Sequence, residues 1–103
     1  MAWTYLVLAG LFEVGFTSCL KLSDGFTRLG PSLGFFFFSV LSFWLLTKAV
    51  QVIPLGTAYA VWTGLGAVGT AAVGMAFFGD PVSPVRLVLL FVIIASVVGL
   101  KLA

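Results

Sequence analysis

Glu13 is an acid in the middle of an otherwise uncharged apolar stretch, and no other residue contrasts so sharply with its neighbours. Read as a helix from Ala2 at about 1.5 Å per residue, the stretch carries Glu13 roughly 16 Å inward. That is near the middle of a bilayer hydrocarbon core about 30 Å thick. A charge at that depth costs at least about 2.5–3.5 kcal/mol, so an intramembrane carboxylate marks a functional position by default. The plainer alternative is a protonated glutamic acid that hydrogen-bonds to a neighbouring helix. A carboxylate there holds either a proton or an organic cation, because both compete for one negative charge. Carrying the empty, ionised group through an occluded state is costly, so the two loaded forms cross more readily. Competition at a shared site then becomes exchange, which is the chemistry of a proton/cation antiporter.

Such a site needs partners for the cation. Gly10, Glu13 and Phe16 follow at intervals of three and share one helix face, with Thr17 beside them. Tyr59 and Trp62 are also three apart, and Gly66 follows four later. Tyr and Trp faces attract cations, and both side chains donate hydrogen bonds to carboxylates. The same spacing also suits an aromatic belt at the membrane interface, to which Trp3, Tyr5 and Trp44 are readily assigned. Ser42 is a further polar candidate, although serines at this depth often bond their own helix backbone. Gly64-Leu65-Gly66-Ala67-Val68-Gly69 has the glycine spacing of a dinucleotide-binding turn. It lacks the preceding strand that such a turn requires. Gly64 and Gly66 are better read as a point of helix flexibility and close packing, with Gly66, Thr70 and Gly74 spaced by fours. Ala95 and Gly99 repeat that spacing near the C-terminus, where they are suited to bring two copies together. The Phe35–Phe38 run faces all round a helix and serves lipid contact and packing. Cys19, the only cysteine, is expected to be a small packing residue.

The elements that must carry these residues are legible from composition. Of 103 residues, 62% are hydrophobic and 8% charged, where a soluble domain has about 25% charged. The bilayer is the expected solvent. Charges and prolines divide the chain into apolar segments at about 2–20, 31–47, 55–78 and 85–100, in one transmembrane domain. Each approaches the roughly 20 residues of a spanning helix. Barrel strands would be about half as long and alternate in polarity. The fold class is therefore an all-α membrane protein of four transmembrane helices. Short loops force neighbouring helices antiparallel and leave both termini on one side, with Lys48 and Lys101. Lys21, Arg28 and Arg86 fall on the other side. Excess Lys and Arg normally fix the cytoplasmic side; two against three is nearly balanced, which predicts insertion in both directions.

Other classes find little support. A net charge of +2 without a basic run gives no footing for a nucleic-acid partner. With no histidine and three scattered acids, neither a catalytic triad nor a metal cluster is available, and no cofactor is expected. An enzyme lacks a nucleophile–base pair, and a channel lacks a continuous polar lining. A non-transporting membrane subunit, with Glu13 fixing helix packing, remains as the competing class.

Three stretches carry a family resemblance: Ala9-Gly10-Leu11-Phe12-Glu13-Val14, Leu20-Lys21-Leu22-Ser23-Asp24-Gly25-Phe26-Thr27-Arg28-Leu29, and the run from Pro54 through Tyr59 and Trp62 to Gly69. Together with the closing Val98-Gly99-Leu100-Lys101-Leu102, the chain resembles small multidrug resistance transporters along its whole length. Gly10, Ser42 and Trp62-Thr63-Gly64 look like the guanidinium-exporter subtype rather than the quaternary-ammonium subtype. The resemblance implies an antiparallel, dual-topology homodimer in the bacterial inner membrane, exporting cations against proton entry. It makes Glu13 of both subunits the shared proton and substrate site. Ser42 would then hydrogen-bond the carboxylate, while Tyr59 and Trp62 would line and gate the pocket. One departure is Phe16, where that subtype usually has Trp. Losing the indole N–H removes a polar contact, which favours a substituted guanidinium such as guanylurea, or admits hydrophobic ammonium ions.

Overall fold

Each of the four apolar stretches runs as one uninterrupted helix in the computed structural model, which describes residues Met1–Ala103. The helices are α1 (Ala2–Leu22), α2 (Leu29–Ala49), α3 (Leu55–Phe77) and α4 (Pro84–Leu102). Their lengths of 21, 21, 23 and 19 residues all suffice to cross a membrane. They differ from the apolar segments by one or two residues, and the reason is electrostatic. Lys21, Lys48 and Lys101 sit inside the last turns of α1, α2 and α4, where a cation meets unpaired helix carbonyls favourably. Cutting the sequence at its charges therefore cuts it slightly short. Pro31 likewise falls within the first turn of α2, which needs no proline N–H. α4 starts from Ser83, whose hydroxyl accepts from Arg86 N at 3.2 Å, with Pro84 in its first turn.

The helices lie side by side in the order α2, α1, α3, α4, with only a slight contact between α2 and α3. The result is a slab of 41 × 35 × 17 Å, flattened in one direction. The core sits near the end that carries the termini: Leu6 and Ala9 of α1, Leu45 and Ala49 of α2, and Ala58, Val61 and Trp62 of α3, closed by Ile53. The termini do share one side, since Lys101 Nζ lies 5.7 Å from the Trp3 ring centre. On the same side Lys48 Nζ lies 4.8 Å from the Trp44 ring. α4 contributes no buried residue.

Small residues bring the helices together. Gly15 of α1 takes the ring of Phe38, and Gly34 of α2 takes the thiol of Cys19. Phe35 packs edge-on against Phe16 with centroids 5.6 Å apart, whereas Phe36 and Phe37 face outward. The turn from α1 to α2 winds around the buried Ser23. Its hydroxyl donates to Leu20 O at 2.8 Å and accepts from Phe26 N at 3.1 Å. Asp24, Gly25 and Phe26 follow with φ of 49°, 70° and 66°, and the Phe26 ring rests on Phe35 at 5.2 Å.

Candidate functional site

The α1–α3 seam is built from two facing stripes. On α1 the stripe runs Gly10, Glu13, Val14, Thr17; on α3 it runs Leu65, Gly66, Gly69, Thr70. A Cβ on Gly10 would come within 2.9 Å of Leu65 Cβ, and one on Gly69 would collide with Val14. At Gly66 an added Cβ would fall inside the Glu13 carboxyl itself. Gly66 is therefore the seat of that carboxyl, a more specific role than the flexibility read from its spacing. Gly64 points the other way, against Val97 and Ile93 of α4, and packs that helix. One turn beyond Glu13, Thr17 and Thr70 hydroxyls meet at 2.7 Å, and Thr17 also lies 3.0 Å from Glu13 O.

Glu13 is half-buried, and its Oε1 is shielded from solvent with no hydrogen-bond partner. Only one other buried side-chain polar atom shares that condition, Ser39 Oγ on α2. Where α1 and α2 touch, Ala9 meets Ser42, Gly15 meets Phe38 and Phe16 meets Phe35. In that antiparallel register Ser39 stands level with Glu13. A carboxyl oxygen and a hydroxyl thus sit unpartnered at about one depth in the slab. A buried acceptor without a donor costs about 1–3 kcal/mol, a cost that a donor-rich ligand removes.

Ser42 is fully buried, but its hydrogen goes elsewhere than to Glu13. The hydroxyl donates to Ala9 O at 2.7 Å and accepts from Trp62 Nε1 at 3.0 Å. A serine hydroxyl has one hydrogen, so in this conformation Ser42 has none left for the carboxylate. It ties α3 through α2 to the α1 backbone one turn before Glu13. Its oxygen makes no contact of hydrogen-bond length with the Glu13 carboxyl, so the expected serine–carboxylate bond is absent in this conformation.

The aromatic candidates form one row. Phe16 stacks on Phe43 with centroids 6.3 Å apart, Phe43 meets Trp62 at 5.2 Å, and Trp62 meets Tyr59 at 5.8 Å. The row starts one turn from Glu13 on α1 and reaches Trp62 one turn from Gly66 on α3. Trp62 is buried by α1 and α2, so within this chain it is core rather than belt; Tyr59 is 56% exposed. Gly10 is buried in the seam and lines no main cavity. Glu13 lines none either.

Sequence reasoning missed Ser39, Phe43, Thr70 and the Ala9 carbonyl as members of this neighbourhood. A signal existed for two of them. Ser39 precedes Ser42 by three, and Thr70 follows Gly66 by four on the stripe that starts at Trp62. Phe43 and Ala9 are ordinary membrane residues by type, and only the fold reveals their partners.

Comparison with known proteins agrees with the architecture. A family model described as Small Multidrug Resistance protein matches residues 1–93. A Citrobacter freundii protein named guanidinium exporter is 47% identical over 103 residues, covering 100% of this chain and 98% of its own. A Yersinia pseudotuberculosis protein of the same name is 50% identical over 103 residues, covering 100% and 99%. With full-length relatives at that identity and four helices able to span a bilayer, the chain belongs to the small multidrug resistance family, as a multi-pass protein of the bacterial inner membrane.

Proposed function

We propose that two copies of this chain, inserted in opposite directions, form a homodimer that exports small guanidinium-type cations in exchange for protons. Glu13 of both copies is the shared site for proton and substrate. The observation that carries this reading is a shielded carboxyl oxygen with no partner, at about the level of an unpartnered serine hydroxyl on the neighbouring helix. A guanidinium ion is planar, always charged and all donor, and it binds carboxylates in a bidentate fork. It supplies the donors that the carboxyl oxygen lacks. A second slab laid against the first closes the space, and the nearly even charge on the two sides favours pairing in opposite orientations. The names of the relatives, guanidinium exporter, point to the same substrate class.

In this mechanism the proton-loaded and cation-loaded forms of Glu13 both avoid a bare charge in hydrocarbon, so each crosses where the empty form does not. Trp62 and Tyr59 offer aromatic faces to the cation, and Phe16 extends that wall without an N–H. Ser42 holds Trp62 in place, and to reach Glu13 when the site is loaded its side chain leaves the Ala9 carbonyl. Gly10 and Gly66 keep the seam close enough for the carboxyl to fit.

The row Phe16–Phe43–Trp62 favours a second reading, export of hydrophobic quaternary ammonium ions, since it offers aromatic surface and few donors. One assay separates the two. Purified protein in liposomes is driven by a proton gradient and offered guanidinium, guanylurea and tetraethylammonium. Proton-coupled currents with the first two and little with the third are expected. Currents from tetraethylammonium alone favour the second reading. Silence with all three, from folded protein, leaves the non-transporting subunit.

A further inference from the structure

We infer that the end of the chain bearing its termini holds a site for an anionic, two-chain phospholipid, with its phosphate on Lys101. Two cavities meet there. One, of about 410 Å³, runs between α1, α3 and α4 and is lined by Trp3, Val7, Val61, Leu65 and Val97 below Lys101. The other, of about 290 Å³, lies on the outer side of α1 along Thr4 and Leu8. Trp3, Val7 and Lys101 border both. The pair makes a fork whose stem is the Lys101 ammonium, 5.7 Å from the centre of the Trp3 ring.

The occupant follows from the surroundings. α4 packs along α3 and leaves a gap to α1; the rim residues Val7 and Val98 are exposed toward the flank of the slab. In a membrane that flank faces hydrocarbon, so the lining residues, nearly all apolar, are filled by acyl chain rather than water. Trp and Lys at a helix end lie at headgroup depth, and a basic pocket between membrane helices is suited to an anionic headgroup. Charge settles the headgroup. Lys48 and Lys101 stand at this end, while Asp24 and Asp80 lie in the turns at the other and Glu13 lies in mid-helix. Lys101 is the one charged residue bordering either cavity, and a phosphodiester with net negative charge complements it. Two prongs under one cation match two acyl chains under one phosphate.

The test uses the full-length protein in liposomes whose acyl chains carry bromine near the carboxyl end, with phosphatidylglycerol or phosphatidylcholine headgroups. Bromine quenches nearby indoles, and the difference between wild type and Trp3→Phe isolates the Trp3 signal. Phosphatidylglycerol is expected to displace phosphatidylcholine around Trp3 with about fivefold preference, the value of one lysine near an anionic surface. Lys101→Gln abolishes the preference and Lys101→Arg keeps it. Val98→Phe, which narrows the larger prong but leaves the charge, lowers Trp3 quenching by both lipids; circular dichroism verifies that each variant retains its helices. Equal quenching by the two lipids overturns the assignment, and so does a preference that survives Lys101→Gln. If Trp3 is not quenched at all while Val98→Cys cross-links between copies, a second chain covers the fork and the lipid site is lost.

Discussion

The α1–α3 seam and α4 solve opposite problems with the same few residue types. Along the seam every glycine is occupied: Gly10 by Leu65, Gly66 by the Glu13 carboxyl, Gly69 by Val14. Polar groups are inserted at the same places, in Glu13 and the Thr17–Thr70 pair. α4 has no buried residue, and Gly99 meets nothing within 4 Å. Without water between them, membrane helices associate through close packing and hydrogen bonds rather than through hydrophobicity. The seam uses both and so has a fixed geometry. α4 uses neither beyond its contact with α3, which leaves its outer face available to lipid or to a second copy. A glycine in this chain therefore has no single meaning: Gly66 shapes a site, and Gly99 offers a surface.

That contrast is open to attack at several points, the heaviest first. Gly66→Ala places a methyl group where the Glu13 carboxyl lies. Proton-coupled current in liposomes should fall about 10²-fold, the scale of an ångström-sized displacement of a reacting group. A current within twofold of wild type would show that the seat is not needed. Gly99→Ala, by contrast, should leave the intrachain packing and the detergent unfolding midpoint of the single chain unchanged, since its added methyl group meets nothing within 4 Å.

Ser42→Ala is expected to weaken the fold next. It strands the Trp62 N–H inside the core, at about 1–3 kcal/mol for an unmet buried group, and the detergent unfolding midpoint should drop accordingly. Combining it with Trp62→Phe removes the stranded donor, so the double variant should lose less than the sum of the singles. Full additivity would mean that the Trp62–Ser42 bond carries no energy. Smaller still is the Thr17–Thr70 pair. A cycle with Thr17→Val and Thr70→Val should give a coupling near 0.6 kcal/mol, typical of hydrogen bonds between membrane helices. The smallest intrachain effect belongs to α4: Phe91→Ala, at a residue 71% exposed, should shift stability by no more than about 0.5 kcal/mol. Its dimer fraction in detergent should nevertheless fall if a second copy uses this face.

Much of the fold could be read from the sequence because hydropathy and helix length are one-dimensional properties. Four apolar stretches separated by lysines, prolines and the Gly79-Asp80-Pro81 turn leave few alternatives, and the depth of Glu13 follows from counting residues. The helix ends shifted because a lysine in a last turn is still helical. The site was less legible. Spacing placed Gly10, Glu13 and Phe16 on one face, but which α3 residue receives the carboxyl depends on how α1 and α3 are rotated against each other. The destination of the Ser42 hydrogen was equally hidden, since the Ala9 carbonyl is a backbone group with no letter in the sequence. Tyr59 and Trp62 share a spacing yet differ in burial, because only Trp62 falls where α2 also covers α3.

The turn around Ser23 has a mechanical consequence. Left-handed backbone costs a residue with a side chain roughly 1–2 kcal/mol, and Asp24 and Phe26 both adopt it beside Gly25. Hydrogen bonds to Ser23 and the ring contacts of Phe26 on α2 hold them there. The link is thus a stiff clasp rather than a tether, and it obliges α1 and α2 to swing as one lever. With the α1–α3 seam fixed as well, the freest movement within the chain is that of α4, which touches α3 alone.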